Sequence, residues 1–443
     1  MLSHQKFQTL LKPKHGTLTY NFTVNDNETS GKNVFIAIVG ERYNPLEHLQ
    51  KLTETSIKYI ICEQKYESLC DNQHFEYLFV DDINKTIGEL GRLIAEDFQE
   101  KNNSIIAISG SNGKTTTKEM LSSILKQELG PDKVISTQKN FNNHLGVPFT
   151  LFQITSTTQY AVVELGSNAP GEIAYLAQML KPDYSFTTNI GDTHLEFFGT
   201  RQAVFEEEAS VARFTQKTFF KNNNDPFLKS LKLANELSLG LEDSTIKVEL
   251  SFGKAFVDQV ELKNEFITGE HNFFNLACAL IIAHELLDVT WEKLAEHAQK
   301  FRPTANRSQW LEWDNKQVFL DAYNSNPSSL KTALKGFADY LEQHNVSKKD
   351  AAVIVGDMNE LGENSDHYHR ESGEYVQGFD FGLHVFVGRY ADLLAGDKRA
   401  SHTLVAKDVN EFIQKYSSEL KPFKYLFIKG SRSLQLERIP DIK

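Results

Sequence analysis

Three cysteines in 443 residues, Cys62, Cys70 and Cys278, are too few for a disulfide framework, and none falls in a Cys-x-x-Cys pair. Disulfide scaffolds and zinc knuckles are thereby excluded, and a reducing cytoplasm is the expected compartment. The chain also lacks a basic excess: 47 Lys and Arg against 59 Asp and Glu leave a formal charge of −12. Duplex binding needs a positive surface, so nucleic acid is not an expected partner. Long apolar runs are missing too. The longest, Leu276 to Ala283, is far short of the roughly 20 residues that cross a bilayer, and the opening MLSHQKFQTLLKPKHG carries no signal-peptide core. No membrane insertion is expected. Glycine and proline are scattered rather than pooled in a linker, so domain boundaries have to come from the order of elements.

What is present is apolar mass, 40% of residues, in a chain longer than the roughly 250 to 300 residues over which one core grows. Apolar runs at 33–39 and 57–61, with a helix-like stretch between them, read as a small α/β unit. In the segment that follows, Ile83, Ile87, Leu90, Ile94 and Phe98 recur at helical spacing, an amphipathic helix bridging two domains. A second block opens with the buried-strand run at Ser104 and continues through YAVVELG (160–166) and YSFTTNIG (184–191), with helical stretches between. A third begins near Arg302-Pro303 and repeats the rhythm in VFLDAY, AAVIVGD, HVFVGR and YLFIKG. Alternating strand and helix predicts an α/β protein of three domains: a central, mostly parallel sheet of P-loop type, a small amino-terminal α/β domain and a carboxyl-terminal Rossmann-like domain.

Between the strand at 104 and an amphipathic helix lies Gly110-Ser111-Asn112-Gly113-Lys114-Thr115. Glycines let the backbone approach a phosphate chain, and the helix N-terminus presents N–H groups to it. Lys114 would hold the outer phosphates and the Thr115 hydroxyl would ligate Mg²⁺. The pattern is short of a full Walker A, since Ile108 stands where its first glycine belongs.

Ligands gather beyond the carboxyl ends of strands in an open parallel sheet. Glu164 and His194 follow two such strands; the carboxylate suits Mg²⁺, whereas a histidine there reads more simply as a loop residue. The run Glu206-Glu207-Glu208 reads as the solvated face of a helix. Asp321, at the end of an apolar strand, is a ribose-contact position, and Arg307 a phosphate clamp. Asn326-Pro327-Ser328-Ser329 is accounted for as a helix start. Lys429, Ser431 and Arg432, in IKGSRS, make a small cationic pocket suited to a carboxylate.

In order along the chain, SGSNGKTTTKEM, NFNNHLGVP, VVELGSNAPGEI, NIGDTHLEFFG, GEHNFFNLACA, NRSQ, LDAYNSNPSSLKTAL, VGDMNELGE and IKGSRS together resemble the ATP-dependent Mur ligases of peptidoglycan synthesis. The resemblance runs from Ser104 to the carboxyl end. It implies a UDP-sugar-binding domain at 1–83, an ATP-binding domain at 84–302 and a mobile ligase domain at 303–443. It further implies ATP and Mg²⁺ as cofactors and an amide-forming reaction through an acyl phosphate. The last four segments are similar to the member that joins D-alanyl-D-alanine to UDP-N-acetylmuramoyl-tripeptide, and a cytoplasmic monomer is expected. By the same resemblance, Gly110 to Thr116 with Lys114 serve the phosphates, and Thr115, Glu164 and His194 serve the metal. Asn275 contacts adenine, and Arg307 and Asp321 contact phosphate and ribose. Asn140, Asn142, Asn143 and His144 face the muramoyl peptide, Lys429, Ser431 and Arg432 the incoming amine, and Asn324 and Asn326 also bind substrate.

Two departures stand out. Many members carry, downstream of the glycine that closes the HLE..FG segment, a carbamoylated lysine whose added carboxylate binds a second Mg²⁺. Counting from Gly199 puts Glu208 in that slot, a carboxylate supplied directly. The amino-terminal segment ETSGKNVFIAIVGERYNPLEHL keeps the strand and the Gly-Glu-Arg turn but lacks the family's Asp-Ser-Arg before it and Asp-Gly after it. Three alternatives stay open at this level: a folylpolyglutamate-type ligase, a paralogue with another amine substrate, and a nucleotide-binding regulator without catalysis. Lysine and diaminopimelate both remain open at the third position of the peptide.

Overall fold

A computed structural model describes residues 1–70, 74–251, 254–397 and 402–440. Within these the strands form three sheet-centred units and one small antiparallel pair, Leu2–Ser3 with Thr19–Tyr20. The first unit is a parallel sheet of Phe22–Thr23, Val34–Ile36, Tyr59–Glu63 and Glu76–Val80, in that spatial order. The stretch between its second and third strands is a 3₁₀ helix, Pro45–Leu52, rather than an α-helix. Proline in its first turn and the Asn44 side chain, which accepts from Leu46 N at 3.1 Å, set its start.

The central sheet is parallel through Glu236–Gly240, Thr218–Asn222, Tyr184–Thr187, Ser104–Ser109, Tyr160–Glu164 and Val134–Ser136. Its middle strand shows why the run at 104 is apolar at every position. Ile105 and Ala107 point into one core, with the helix Ile83–Gln99, while Ile106 and Ile108 point into the other, with the helices Lys114–Leu129 and Glu270–Leu286. Covered on both faces, such a strand has no polar side to alternate with. The bridging helix packs Ile87, Leu90 and Ile94 among Val34 and Ile61 of the small sheet and Ile105 and Val163 of the central one. One apolar cluster therefore runs through both units.

The carboxyl-terminal sheet orders Gln309–Trp313, Lys316–Asp321, Tyr425–Lys429, Ala351–Gly356, Leu383–Val387 and Thr403–Ala406. All its pairings are parallel except the first. Its core repeats the two-sided pattern, with Val353 and Val355 on one face and Ala352 and Ile354 on the other.

Two additions have no counterpart in the expected strand-and-helix rhythm. The central sheet is extended by Ile246–Ser251, Lys254–Val257 and Val260–Leu262, the last two antiparallel to their neighbours. The strand Gln309–Trp313 forms a hairpin through Asp314 and Asn315, both at positive φ. Those residue types tolerate that conformation in tight turns, so the Asp-Asn pair is the local signal for the hairpin.

Candidate active site

The carboxyl ends of the central and carboxyl-terminal sheets face a shared cavity of about 600 Å³. Along its wall lie Ser111, Asn112, Gly113, Lys114, Thr115 and Thr116 of the glycine loop, with Asn140, Asn142, Asn143, Glu164, His194 and Asn275. From the other domain come Arg307, Asp321, Asn324, Asn326 and Lys429. Seventeen of the expected positions, drawn from segments far apart in sequence, thus converge on one space.

Two glycines fix the loop. Gly110 has φ 122°, and a Cβ there would collide with Thr188, whose backbone nitrogen would be 2.8 Å away. Gly113, at φ 81°, starts the helix Lys114–Leu129, and a Cβ on it would lie 2.9 Å from Asn275 Nδ2. Only glycine fits both the dihedral and the space. The loop's first amide is held from beneath: Gly110 N donates to Glu208 Oε2 at 2.7 Å, and Glu208 Oε1 lies 3.7 Å from Lys114 Nζ. Lys114 Nζ also donates to Gly110 O.

The glutamate run is therefore not a solvated face. Glu207 and Glu208 are buried, and Glu207 accepts from Gly171 N and Ile173 N, both at 2.7 Å, at the start of the helix Glu172–Leu180. Free N–H groups at helix and loop starts attract carboxylates, which is why a charge run turns inward here. Glu206 alone stays exposed.

Glu164 is also buried. Its Oε1 accepts from Asn142 Nδ2 at 2.9 Å, while Oε2 has no partner. Asn143 spends its side-chain oxygen on Leu145 N and Gly146 N, at 3.2 and 2.9 Å, so its role is to cap the following turn. His144 lies outside the main cavity, lining a second hollow with Gly171, Glu172 and Tyr175. His194, at φ 52°, has Nδ1 2.8 Å from Glu360 Oε2, close but off the line of an ideal ring N–H bond. That contact holds the Glu360 carboxyl below its ordinary range.

Across the cavity, Arg307 stacks its guanidinium on the Tyr323 ring at 3.8 Å. Asp321 accepts from Lys429 Nζ at 2.5 Å and from Ser308 N at 3.1 Å, and Lys429 donates further to Asn324 O at 3.0 Å. The expected cationic pocket is not assembled. Lys429 is neutralised by Asp321, Ser431 Oγ accepts from Asn359 N at 2.9 Å, and Arg432 turns away to Glu437 at 2.5 Å. Asn326 caps the helix Pro327–Gln343, as its position before proline suggests, and also donates to Asn112 Oδ1 at 2.7 Å. Asn112 Nδ2 in turn donates to Ser328 Oγ at 2.9 Å. The glycine loop and the cap of a carboxyl-terminal helix are thus directly joined.

Several cavity residues were not singled out in sequence. Asn189 brackets the loop, accepting from Asn112 N at 3.1 Å and donating to Asn112 O at 2.8 Å; its signal is an amide at the end of TTNI. Glu360 falls within the segment VGDMNELGE, but nothing local gives its role, since its partner lies in another domain. His271, on the cavity wall, has its ring packed on Gly269 and near Gly336, and burial pushes its imidazole down to about 4. The unfolded chain takes up that proton near 6.5, so stability from a neutral His271 is complete above that pH and is lost as pH falls toward 4. The loss is at most about 1.4 kcal/mol per pH unit. Melting curves from about pH 7 to about pH 4.5 should therefore fall more steeply for the parent than for His271→Asn.

Among the described residues no three His, Cys, Asp or Glu side chains form a ready-made metal cluster. Mg²⁺ does not require one, because it binds through one or two carboxylates plus substrate phosphates and water. The unpartnered Glu164 Oε2 and the Thr115 hydroxyl fit that pattern. No helix among the described residues is long and apolar enough to cross a membrane.

Residues 108–283 match the Mur ligase middle domain, and residues 306–432 match the Mur ligase glutamate ligase domain. The chain is 27% identical to the UDP-N-acetylmuramoyl-tripeptide–D-alanyl-D-alanine ligase of Bacillus subtilis, over 97% of this chain and 94% of that one. The Rickettsia prowazekii enzyme of the same name is 29% identical, over 94% and 93%. Among solved structures, MurF from Acinetobacter baumannii superposes with a TM-score of 0.80 at 25% identity, covering 99% of this chain and 97% of that one.

Proposed function

The chain belongs to the Mur ligase family, and from that premise we propose that it joins D-alanyl-D-alanine to UDP-N-acetylmuramoyl-tripeptide at the expense of ATP. The observation that carries the reading is the single cavity in which a phosphate-binding loop, a buried carboxylate and an asparagine-rich peptide loop meet the carboxyl-terminal domain. Relatives bearing that enzyme name match nearly the whole chain, which supports the choice of substrates.

A carboxylate does not acylate an amine in neutral water, because oxide is a poor leaving group. In the proposed reaction the tripeptide carboxylate attacks the γ-phosphorus, the bond to ADP breaks, and an acyl phosphate forms. The dipeptide's free amine then attacks the carbonyl, phosphate leaves, and the amine gives up its proton. Lys114 and the amides of Gly113, Lys114 and Thr115, at the start of the helix Lys114–Leu129, offset the repulsion between two anions in the first step. Mg²⁺, when bound, neutralises charge on the phosphates; Thr115 and Glu164 are its proposed ligands, with His194 beside them. Asn275 and Arg307 hold the nucleotide, and Asn140 and Asn142 orient the tripeptide against Glu164. The clasp between Asn112, Asn326 and Ser328 brings the amine side to the loop and excludes water from the acyl phosphate.

Glu208 supplies at the loop base the carboxylate that relatives make from lysine and CO₂. Its burial supports this; it lies beneath the loop rather than along the cavity wall, with Oε2 taken by Gly110 N and Oε1 3.7 Å from Lys114 Nζ. ADP release by the parent should then be the same with and without bicarbonate, whereas Glu208→Lys should be slow and respond to it. A bicarbonate requirement in the parent contradicts the assignment. The function itself is tested by ADP release with UDP-muramoyl-tripeptide and ATP, comparing D-alanyl-D-alanine with single amino acids. Turnover that prefers a single amino acid overturns the choice of amine.

A further inference from the structure

One contact in the cavity crosses from the carboxyl-terminal to the central domain on a loop that is held, by backbone or side chain, at each residue. Asp357 accepts from Arg389 N at 2.7 Å and from Tyr390 N at 2.9 Å. Met358 N donates to Nε2 of His369, a fully buried ring whose Nδ1 lies 2.6 Å from Ser365 O. Asn359 N donates to the buried Ser431 Oγ at 2.9 Å. The next residue, Glu360, sits at φ 65°, a conformation that L side chains rarely adopt and that persists only where the surroundings fix it.

The tip of the loop is docked across the domain boundary. Glu196 N donates to Glu360 O at 3.3 Å. Gly362, at φ 62°, comes so close to the same segment that a Cβ would lie 3.0 Å from Glu196 Cα. Tyr368, from the helix that follows, packs on the cluster containing Ile190 and Leu195. The outcome is that Glu360 Oε2 stands 2.8 Å from His194 Nδ1, and His194 is itself held at φ 52°. Two uncommon backbone conformations on opposite domains thus bring one carboxylate to one imidazole nitrogen.

We propose that Glu360 is a positioning residue: closure of the carboxyl-terminal domain brings its carboxylate to His194 Nδ1, which fixes the ring's orientation and leaves Nε2 as the free, electron-pair-bearing nitrogen facing the cavity. A neutral imidazole keeps its proton on the nitrogen that has an acceptor, and a carboxylate partner of this kind makes the other nitrogen a better base or ligand. His194 is then competent only when both domains are in place, so the enzyme does not commit ATP before the amine-binding domain has closed. This role rests on the proposed function of the same cavity. Glu360 is well exposed at its outer edge, so its removal leaves the fold intact.

The test uses the full chain labelled with ¹⁵N-histidine, the His194 ring signals being identified by their loss in His194→Gln. In the parent, Nδ1 should appear as the protonated nitrogen and Nε2 as the unprotonated one. Glu360→Ala should shift the proton toward Nε2, and Gly362→Ala, which pushes the loop off Glu196, should do the same. Glu360→Gln, whose amide oxygen still accepts from Nδ1, should recover most of the parental pattern. In steady-state assays Glu360→Ala should lower kcat by about tenfold or more, the cost typical of losing such a partner, with KM for all three substrates nearly unchanged. Ring signals in Glu360→Ala identical to the parent's, or KM rising with kcat intact, overturn the proposal. If the parent shows no turnover with these substrates, the functional reading fails, and the ring signals still decide the role of Glu360.

Discussion

Lys114→Ala should release ADP at least about a hundredfold more slowly than the parent when both acceptor substrates are present, with only a modest loss of stability. The first step brings a carboxylate anion onto a phosphate chain, so its barrier is dominated by charge repulsion. Lys114 is the cation at the mouth of a helix whose N-terminal amides already point at the same place. Losing one such preorganised stabiliser costs about 3 kcal/mol in the barrier. The stability effect is smaller because Lys114 is not the main partner of the carboxylate beneath it. Glu208 keeps its 2.7 Å bond from Gly110 N, whereas the lysine lies 3.7 Å away. Lys114→Arg should not restore turnover, since a planar fork does not replace a compact ammonium in a space shaped by Gly110 and Gly113. Rapid-quench ADP measurements and melting curves on the same preparations check both halves. Near-parental ADP release would place the phosphates elsewhere.

Asp321→Ala should have the largest effect on stability, about 3 to 5 kcal/mol. Asp321 and Lys429 lie at the ends of adjacent parallel strands, in register with each other, and meet at 2.5 Å. Lys429 is 2% exposed. Its remaining partner would be a backbone carbonyl, Asn324 O, which cannot compensate a full buried charge. Breaking such a pair costs far more than the pair is worth, because one charge is left without its counterion. Asp321→Ala combined with Lys429→Met should therefore recover most of the lost stability. It should not recover ligation, since both side chains line the cavity and the proposed ribose contact is gone. Denaturant titration of the two single variants and the double variant reads the coupling directly. A single variant as stable as the parent would mean that water already screens Lys429.

The parts of this architecture legible in sequence are those set by local chemistry. IIAIS and AAVIVG announce strands covered on both faces, the glycines of GSNGKT announce a loop at a helix start, and Asn326-Pro327 announces a cap. What escaped depends on distant partners. Glu207, and Glu208 but for its place in the resemblance, read as surface because nothing near them in sequence reveals the amides of Gly171, Ile173 and Gly110 that draw them inward. Lys429 and Arg432 read as one cationic patch, yet the first is claimed by Asp321 and the second by Glu437. The segment VGDMNELGE stands out, yet the role of Glu360 within it could not be read there, because the imidazole that gives it meaning sits on another domain. The edge strands from 246 to 262 were hidden by their mixed, half-exposed composition, which lacks the unbroken apolar run of a central strand.

In the proposed reaction the cavity activates the tripeptide carboxylate as an acyl phosphate before the amine attacks. Tripeptide substrate carrying ¹⁸O in its terminal carboxylate, turned over with ATP and D-alanyl-D-alanine, tests it most directly. Each released phosphate should carry one ¹⁸O, and ADP none. Phosphate free of the label, formed alongside the same ligated product, would contradict it.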